Sequence, residues 1–386
     1  MRIVAIAART LRWTIASHGA ARGRTERAAV ILEVRGQTGV IGLGEAAPLP
    51  GMSPDTLDAA ERAVAAFTRR APFALADRST AIAIAKTAAS GSPAARFAIE
   101  TALLDALARD RGVSLAALLR EPPAPRHDAD ETKATPSPSS LDDCCGLLLR
   151  NATKETPSPV PLAAVVDDPE AARDAFAAGI RCFKIKLVAG DDPGRVFAIA
   201  AAVPGARLRI DANRTWPRAE VAARLAVVAA LPIDYVEEPC VQAHQLLSAP
   251  LPCKIALDES LIELTTDQLH AALRSPWLAA VVLKPTLLGG LAASLALADL
   301  ARRAGVAAIA SHGLEGPIGT AACAELALAL GGPHPAGLAA HAALAGWLVE
   351  VPQLAADHVR PAAAPGLGFE LDLAGVVRGR RADGPP

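Results

Sequence analysis

Short apolar runs, each closed by a charged residue, recur along the second half of the chain. They end in Lys184-Ile185-Lys186, Asp211-Ala212-Asn213, Val236-Glu237-Glu238-Pro239, Asp258-Glu259-Ser260 and Lys284-Pro285. Each run reads as a buried strand, and successive motifs lie about 20 to 27 residues apart, room for one strand–loop–helix unit each. The pattern predicts strands over 182–187, 208–212, 235–238, 254–258, 280–284 and 307–311, a first strand within 160–166, and an eighth at Leu338-Ala339-Ala340. The segment 169–178 reads as a helix that stops at Gly179, a C-cap signal. Repeated βα units with a charged residue at each strand end predict a (β/α)8-type barrel whose active site lies at the C-terminal ends of its strands.

The first part of the chain is patterned differently. Residues 28–34 and 40–45 alternate as a hairpin around Gly36-Gln37-Thr38-Gly39, and 54–69 and 93–119 read as helices, the second with Pro93 near its start. Residues 1–120 are therefore expected to form an N-terminal α+β capping domain. Its polar, glycine-rich stretch Ser17-His18-Gly19-Ala20-Ala21-Arg22-Gly23 reads as a mobile loop that can act as a lid. Proline, serine and charge dominate 121–159, which reads as an insertion or linker. The barrel is assigned to 160–345. The remainder, 346–386, is expected to return through Pro365-Gly366-Leu367-Gly368-Phe369-Glu370-Leu371, a turn and short strand that pack back on the cap.

Composition narrows the function classes. The formal net charge is −1, so no strong field draws the chain to nucleic acid or acidic membranes. No apolar run reaches a membrane span, and Met1-Arg2-Ile3-Val4-Ala5-Ile6 lacks a signal-peptide core, so a cytoplasmic protein is expected, as monomer or homo-oligomer. The six cysteines include no CxxC pair and read as reduced thiols. Positive charge is written with 32 arginines and only seven lysines, yet Lys184, Lys186 and Lys284 fall at strand ends. A desolvated lysine can act as a base, whereas arginine cannot lose its proton.

Asp211, Glu237 and Asp258 offer hard oxygen ligands from three neighbouring strands, a set suited to Mg²⁺, with Mn²⁺ as the alternative. Alternate strand residues face opposite ways, so Glu237 points inward and Glu238 supports it. Lys186 is the candidate general base, Lys184 lowers its pKa by like-charge repulsion, and Lys284 approaches from across the barrel. Such a site would remove a weakly acidic proton beside a substrate carboxylate. Arg209 shares the face of Asp211 and either binds a substrate carboxylate or is structural. Asn213, Ser311, Gly313 and Glu315 are expected to contact substrate or support the ligands. The loop Ser311-His312-Gly313-Leu314-Glu315-Gly316 would present backbone N–H groups to an anion, or is an ordinary βα loop.

These motifs, in this order, resemble the enolase superfamily and its muconate-lactonizing subgroup, with a KxK lysine on the second strand opposite a lysine on the sixth. More closely, Gly42-Leu43-Gly44-Glu45-Ala46-Ala47-Pro48-Leu49-Pro50-Gly51-Met52-Ser53 and the barrel motifs are similar to the o-succinylbenzoate synthase family. The resemblance implies Mg²⁺ on Asp211, Glu237 and Asp258, a small-molecule carboxylate substrate, and a dehydration in menaquinone biosynthesis. In that reaction Lys186 acts as base and then acid, and Lys284 steadies the enolate. The alternative within the subgroup is racemisation of an N-acylamino acid by the same two lysines. His312 stands where the mandelate racemase subgroup has a catalytic histidine. The aspartate that would partner it on strand six is replaced by Lys284, so His312 is read as lining the pocket or incidental. Dipeptide epimerases carry a DxD near strand eight, and Leu338-Ala339-Ala340-His341 has none.

Overall fold

The computed structural model describes residues 1–15, 25–122, 157–345, 347 and 349–371. The glycine-rich loop at 17–23, most of the insertion at 121–159 and the end of the chain beyond Leu371 lie outside the described residues.

The cap begins with β1 (Arg2–Thr14), β2 (Glu26–Gly36) and β3 (Ile41–Ala46), then α1 (Leu57–Thr68), β4 (Phe73–Ala74), α2 (Arg78–Ala88), α3 (Pro93–Asp110) and α4 (Leu115–Arg120). Its four strands form one antiparallel sheet in the order β3-β2-β1-β4. Local signals start the helices: the side chains of Thr56, Asp77, Ser92 and Ser114 each accept an N–H from the first turn. The single helix expected over 93–119 is two, because Gly112 at φ 68° ends α3 and turns the chain.

α3 is buried on every side from Ala94 to Ala108, which fits a helix between the cap sheet and the barrel. Gly42 and Gly44 make this packing possible. A Cβ at either would collide with the backbone of α3, at Ala102 and Ala98 respectively. The buried acids of α3 then tie it to its surroundings. Glu100 accepts the Ala292 N–H at 2.7 Å, and Asp105 accepts those of Leu43 at 2.9 Å and Leu367 at 2.8 Å.

The second layer starts with β5 (Val160–Pro161), β6 (Ala164–Val165), α5 (Pro169–Ala177), β7 (Cys182–Lys186), α6 (Gly194–Ala202), β8 (Arg207–Asp211) and α7 (Val221–Val228). It continues with β9 (Ile233–Glu237), β10 (Ile255–Leu257), α8 (Thr266–Leu273), β11 (Leu278–Leu283), α9 (Pro285–Leu288), α10 (Leu291–Arg303), β12 (Ala307–Ala310) and α11 (Pro317–Leu330). The strands β6 to β12 form a parallel seven-stranded sheet in chain order. The eighth stave is Ala336-Gly337, two residues before the strand expected at Leu338-Ala339-Ala340. Ala336 bridges to Leu162 and Gly337 to Ser311. The Ala336 N–H donates to Pro161 O at 2.8 Å, Ala163 N–H to Ala336 O at 2.9 Å and Gly337 N–H to Ala310 O at 2.9 Å. The ring of a (β/α)8 barrel is thereby closed.

A last strand, β13 (His358–Val359), pairs antiparallel with β5. Among the described residues, no strand forms over Pro365–Leu371. Instead Gly366 N–H donates to Val113 O and Leu115 N–H to Gly366 O, both at 2.9 Å, at the junction of α3 and α4. No helix among the described residues is long and apolar enough to cross a membrane.

Candidate active site

Strand register brings the charged positions to one level. Lys186 is the register partner of Asp211, and Asp211 of Glu237, across β7, β8 and β9. Asp258 follows the end of β10 and Lys284 the end of β11. In an eight-stave ring β7 and β11 stand four staves apart, so Lys186 and Lys284 come from opposite sides. Both lie with Lys184, Asp211 and Glu237 around a single cavity at the C-terminal mouth of the barrel. Leu49 and Met52 of the cap close this cavity from above, and the Met52 Sδ stands 3.7 Å from Lys284 Nζ.

The charges are tightly knit. Lys184 Nζ lies 2.8 Å from both Asp211 Oδ2 and Glu237 Oε1. Burial disfavours its ammonium, but Asp211, Glu237 and Asp258 outweigh that and hold the pKa well above the ordinary lysine value. Lys284 pairs with Asp258 and is likewise held above it, the attraction of Asp258 and Glu259 overcoming burial. Asp211 also resists burial, because Lys184, Lys186 and Lys284 keep its carboxyl below the usual range. Lys186 is the exception among the lysines. Burial, with the like charges of Lys184 and Lys284, lowers its pKa despite Asp211 nearby. Of the three amines in the cavity, Lys186 alone has its pKa lowered.

The supporting residues fall outside the cavity. Glu238, at φ 42°, turns away from Glu237 and fixes the next strand end. Its Oε1 accepts the N–H groups of Asp258 and Ser260, and its Oε2 the Ser260 hydroxyl, all at 2.8 Å. The loop after β12 is held from two sides by the cap. Arg27, only 2% exposed, donates to the carbonyl oxygens of Leu314 at 2.8 Å, Pro48 at 2.9 Å and Ala47 at 2.7 Å. Glu45 accepts the N–H groups of Gly316 at 2.5 Å and Gly319 at 2.8 Å, at the start of α11. Burial pushes its carboxyl up to about 7, against those two hydrogen bonds.

Of the other positions singled out in the sequence, Asn213, Ser311, His312 and Gly313 line the cavity. Asn213 takes φ 45° and its N–H donates to Asp211 Oδ1 at 2.9 Å. Glu315 does not line it. Glu315 instead accepts the Thr286 hydroxyl at 2.5 Å and the Gly313 N–H at 2.7 Å, so it shapes the loop. Arg209 reaches the cavity wall, but it donates to Pro335 O at 2.7 Å, pairs with Asp234 at 3.4 Å and stacks over Tyr235 at 5.2 Å. These contacts favour the structural of its two readings. Sequence reasoning did not place Arg27, Leu49, Met52, Tyr235 or His341 at the site. Leu49 and Met52 lie in the Pro-Leu-Pro-Gly-Met-Ser segment of the cap, and Arg27 is one of four charged residues of β2, with Glu26, Glu33 and Arg35. Tyr235 and His341 carried no signal of their own.

Among the described residues, no three His, Cys, Asp or Glu side chains stand in a ready metal cluster; Lys184 Nζ pairs with both Asp211 and Glu237, and Lys284 Nζ with Asp258. The donor chemistry fits Mg²⁺ nonetheless. Oxygens of Asp211 and Glu237 converge on one cation, the Lys184 nitrogen, and Asp258 adds a third buried carboxylate one strand on.

Comparison with known proteins agrees with this architecture. Residues 167–375 match the family described as enolase C-terminal domain-like, and residues 3–120 the mandelate racemase / muconate lactonizing enzyme N-terminal domain. The chain is 38% identical over 160 residues to the o-succinylbenzoate synthase of Mycobacterium tuberculosis, covering 39% of this chain and 47% of that protein. It is 32% identical over 210 residues to muconate cycloisomerase 1 of Rhodococcus opacus, covering 50% of this chain and 54% of that protein. The chain thus spans about half the length of the curated relatives it matches. In structure it is similar to the dipeptide epimerase of Methylococcus capsulatus complexed with Mg and the dipeptide L-Arg-D-Lys. The TM-score is 0.72 at 25% identity, over 95% of this chain and 99% of that one. The muconate lactonizing enzyme of Pseudomonas putida superposes with a TM-score of 0.73 at 23% identity, over 97% and 99%.

Proposed function

The chain belongs to the mandelate racemase and muconate lactonizing enzyme family of the enolase superfamily, and we propose that it is an o-succinylbenzoate synthase. The reaction is the syn-dehydration of 2-succinyl-6-hydroxy-2,4-cyclohexadiene-1-carboxylate to o-succinylbenzoate. The observation that carries the reading is that Lys186 and Lys284 face one cavity from opposite staves, Lys284 ion-paired with Asp258 and Lys186 making no ion pair among the described residues. The similarity to o-succinylbenzoate synthases supports dehydration as the outcome.

Asp211, Glu237 and Asp258 would hold Mg²⁺, which when bound neutralises the substrate's ring carboxylate and the charge that gathers on it. Lys186, as free amine, takes the proton from C1, and the C–H electron pair moves into the carboxylate. That pair then forms the C1–C6 double bond as the C6–O bond breaks. The proton on Lys186 passes to the departing hydroxide on the same face, giving water and an aromatic ring. Lys284, as ammonium, stabilises the negative charge from the opposite side. Leu49, Met52 and Leu314 line the cavity and exclude water from the proton's path.

The second reading is racemisation of an N-acylamino acid, with Lys186 and Lys284 as opposed bases. What favours it is their placement on opposite staves. An experiment in D₂O with Mg²⁺ separates the two. Dehydration converts the cyclohexadiene carboxylate to o-succinylbenzoate. Racemisation places deuterium at the α-carbon of an N-acylamino acid without net reaction. Conversion of the cyclohexadiene at an enzymatic rate is expected, and its absence alongside rapid deuteration would overturn the first reading.

A further inference from the structure

His312 and His341 are 29 positions apart in sequence and stack face to face, ring centroids 3.9 Å apart at 21°. Nothing in the mechanism above uses them. His341 is anchored by α11, its Nε2 lying 3.2 Å from Thr320 Oγ1. His312 Nδ1 accepts the Leu314 N–H at 3.1 Å, which leaves no room for a proton on that nitrogen. The His312 ring is therefore the neutral tautomer that carries its proton on Nε2. Burial agrees, lowering His312 well below the ordinary histidine value and His341 to about 3.

One face of the His312 ring is covered and Nδ1 is taken, so Nε2–H is the group left free. It has no hydrogen-bond partner among the described residues, and it is not sealed from solvent. The ring borders two recesses that share a wall. One holds the lysines and carboxylates. The other runs behind it between the end of β6 and the eighth stave, and Ala164, Val165, Ala339, Ala340 and Ala342 line it together with one carboxylate, that of Asp167. A fixed neutral donor at the edge of a charged reaction centre suits a substrate whose side arm carries a carbonyl next to the ring.

We propose that His312 Nε2–H donates to the acyl carbonyl oxygen of the substrate's side arm. His341 is a positioning residue that holds the His312 ring in place by stacking. This inference rests on the assignment of an acyl-bearing substrate in the preceding subsection. The same carbonyl is present in a succinyl ketone and in an N-acyl amide.

Calorimetric binding to the Mg²⁺-loaded protein tests it with three ligands: o-succinylbenzoate, its methylene analogue 2-(3-carboxypropyl)benzoate, and N-acetylphenylalanine. His312→Phe keeps the stacking and removes the donor, and should weaken o-succinylbenzoate about tenfold while leaving the methylene analogue unchanged. His312→Gln restores a donor near the Nε2 position and should recover most of the loss. If only N-acetylphenylalanine binds, and its affinity falls about tenfold in His312→Phe, the donor assignment stands and the dehydratase reading fails. Equal weakening of ketone and methylene ligands, no weakening of either, or no binding of any acyl ligand by the unaltered protein would overturn the proposal.

Discussion

Arg27 in the cap donates through Nε to the carbonyl oxygen of Leu314 in the barrel, at 2.8 Å. Leu314 lines the reaction cavity, so a cap residue fixes part of the active-site wall. Arg27→Ala would leave the buried carbonyls of Leu314, Pro48 and Ala47 without this donor. A loss of about 2–3 kcal/mol in urea unfolding is expected, with a fall in kcat beyond what the unfolded fraction accounts for. Activity per folded molecule equal to the parent's would show that the clamp does not shape the site.

Lys186→Ala should lower kcat by about 10²–10⁴-fold with the fold intact by circular dichroism. Lys186→Arg should be as damaging, since arginine cannot give up its proton. In the parent, kcat/KM should rise with pH through an apparent pKa below the ordinary lysine value, because burial and the charges of Lys184 and Lys284 lower that of Lys186. An arginine variant with near-parent activity would remove Lys186 from the role of base.

Chelation by EDTA should abolish turnover, and Mg²⁺ should restore it. Added Mg²⁺ should also raise the melting temperature of the parent, since an ion that binds only the folded state stabilises it. Asp211→Asn should lose that shift. A melting temperature that ignores Mg²⁺ in the parent would contradict an ion on these carboxylates.

Glu100 and Glu325 are pushed up to about 7 by burial, from an ordinary 4.5. Glu325 receives the Ala116 N–H at 2.7 Å and the Gln353 amide at 2.8 Å. A folded state that holds such protons more tightly than the unfolded chain is favoured while they stay bound. The contribution is complete below about pH 4.5 and is lost as pH rises through about 7. The share of the stability to urea that Glu100 and Glu325 supply should therefore fall from about pH 5 to about pH 8, against the rise that the lowered His312 and His341 give below about pH 6.5. Glu325→Gln should flatten that slope, and an unchanged slope would mean that Glu325 does not titrate in this window.

The barrel strands and their charged ends were readable because a lone Lys, Asp or Glu closing a buried apolar run costs desolvation energy that a purely structural strand end avoids. The eighth stave was not readable, since Ala336-Gly337 joins the ring through two bridges and carries no apolar run to mark it. The break between α3 and α4 depends on Gly112 at its left-handed turn and on Ser114 as the cap of α4, within an otherwise helical pattern. The Arg27 clamp and the stacking of His312 on His341 join segments far apart in sequence, and periodicity holds no record of such contacts. Arg209 shows the opposite difficulty. Its position on the face of Asp211 was legible, but its commitment to Pro335 and Asp234 depends on how the ring closes.

The most direct test of dehydration through Lys186 is a turnover assay with the cyclohexadiene carboxylate and Mg²⁺, following loss of diene absorbance in the parent, in Lys186→Ala and in EDTA. Turnover of at least about 1 s⁻¹ is expected in the parent, within the usual enzyme range, and none in either control. No turnover by folded, Mg²⁺-loaded parent, or turnover that persists without the Lys186 amine, would contradict it.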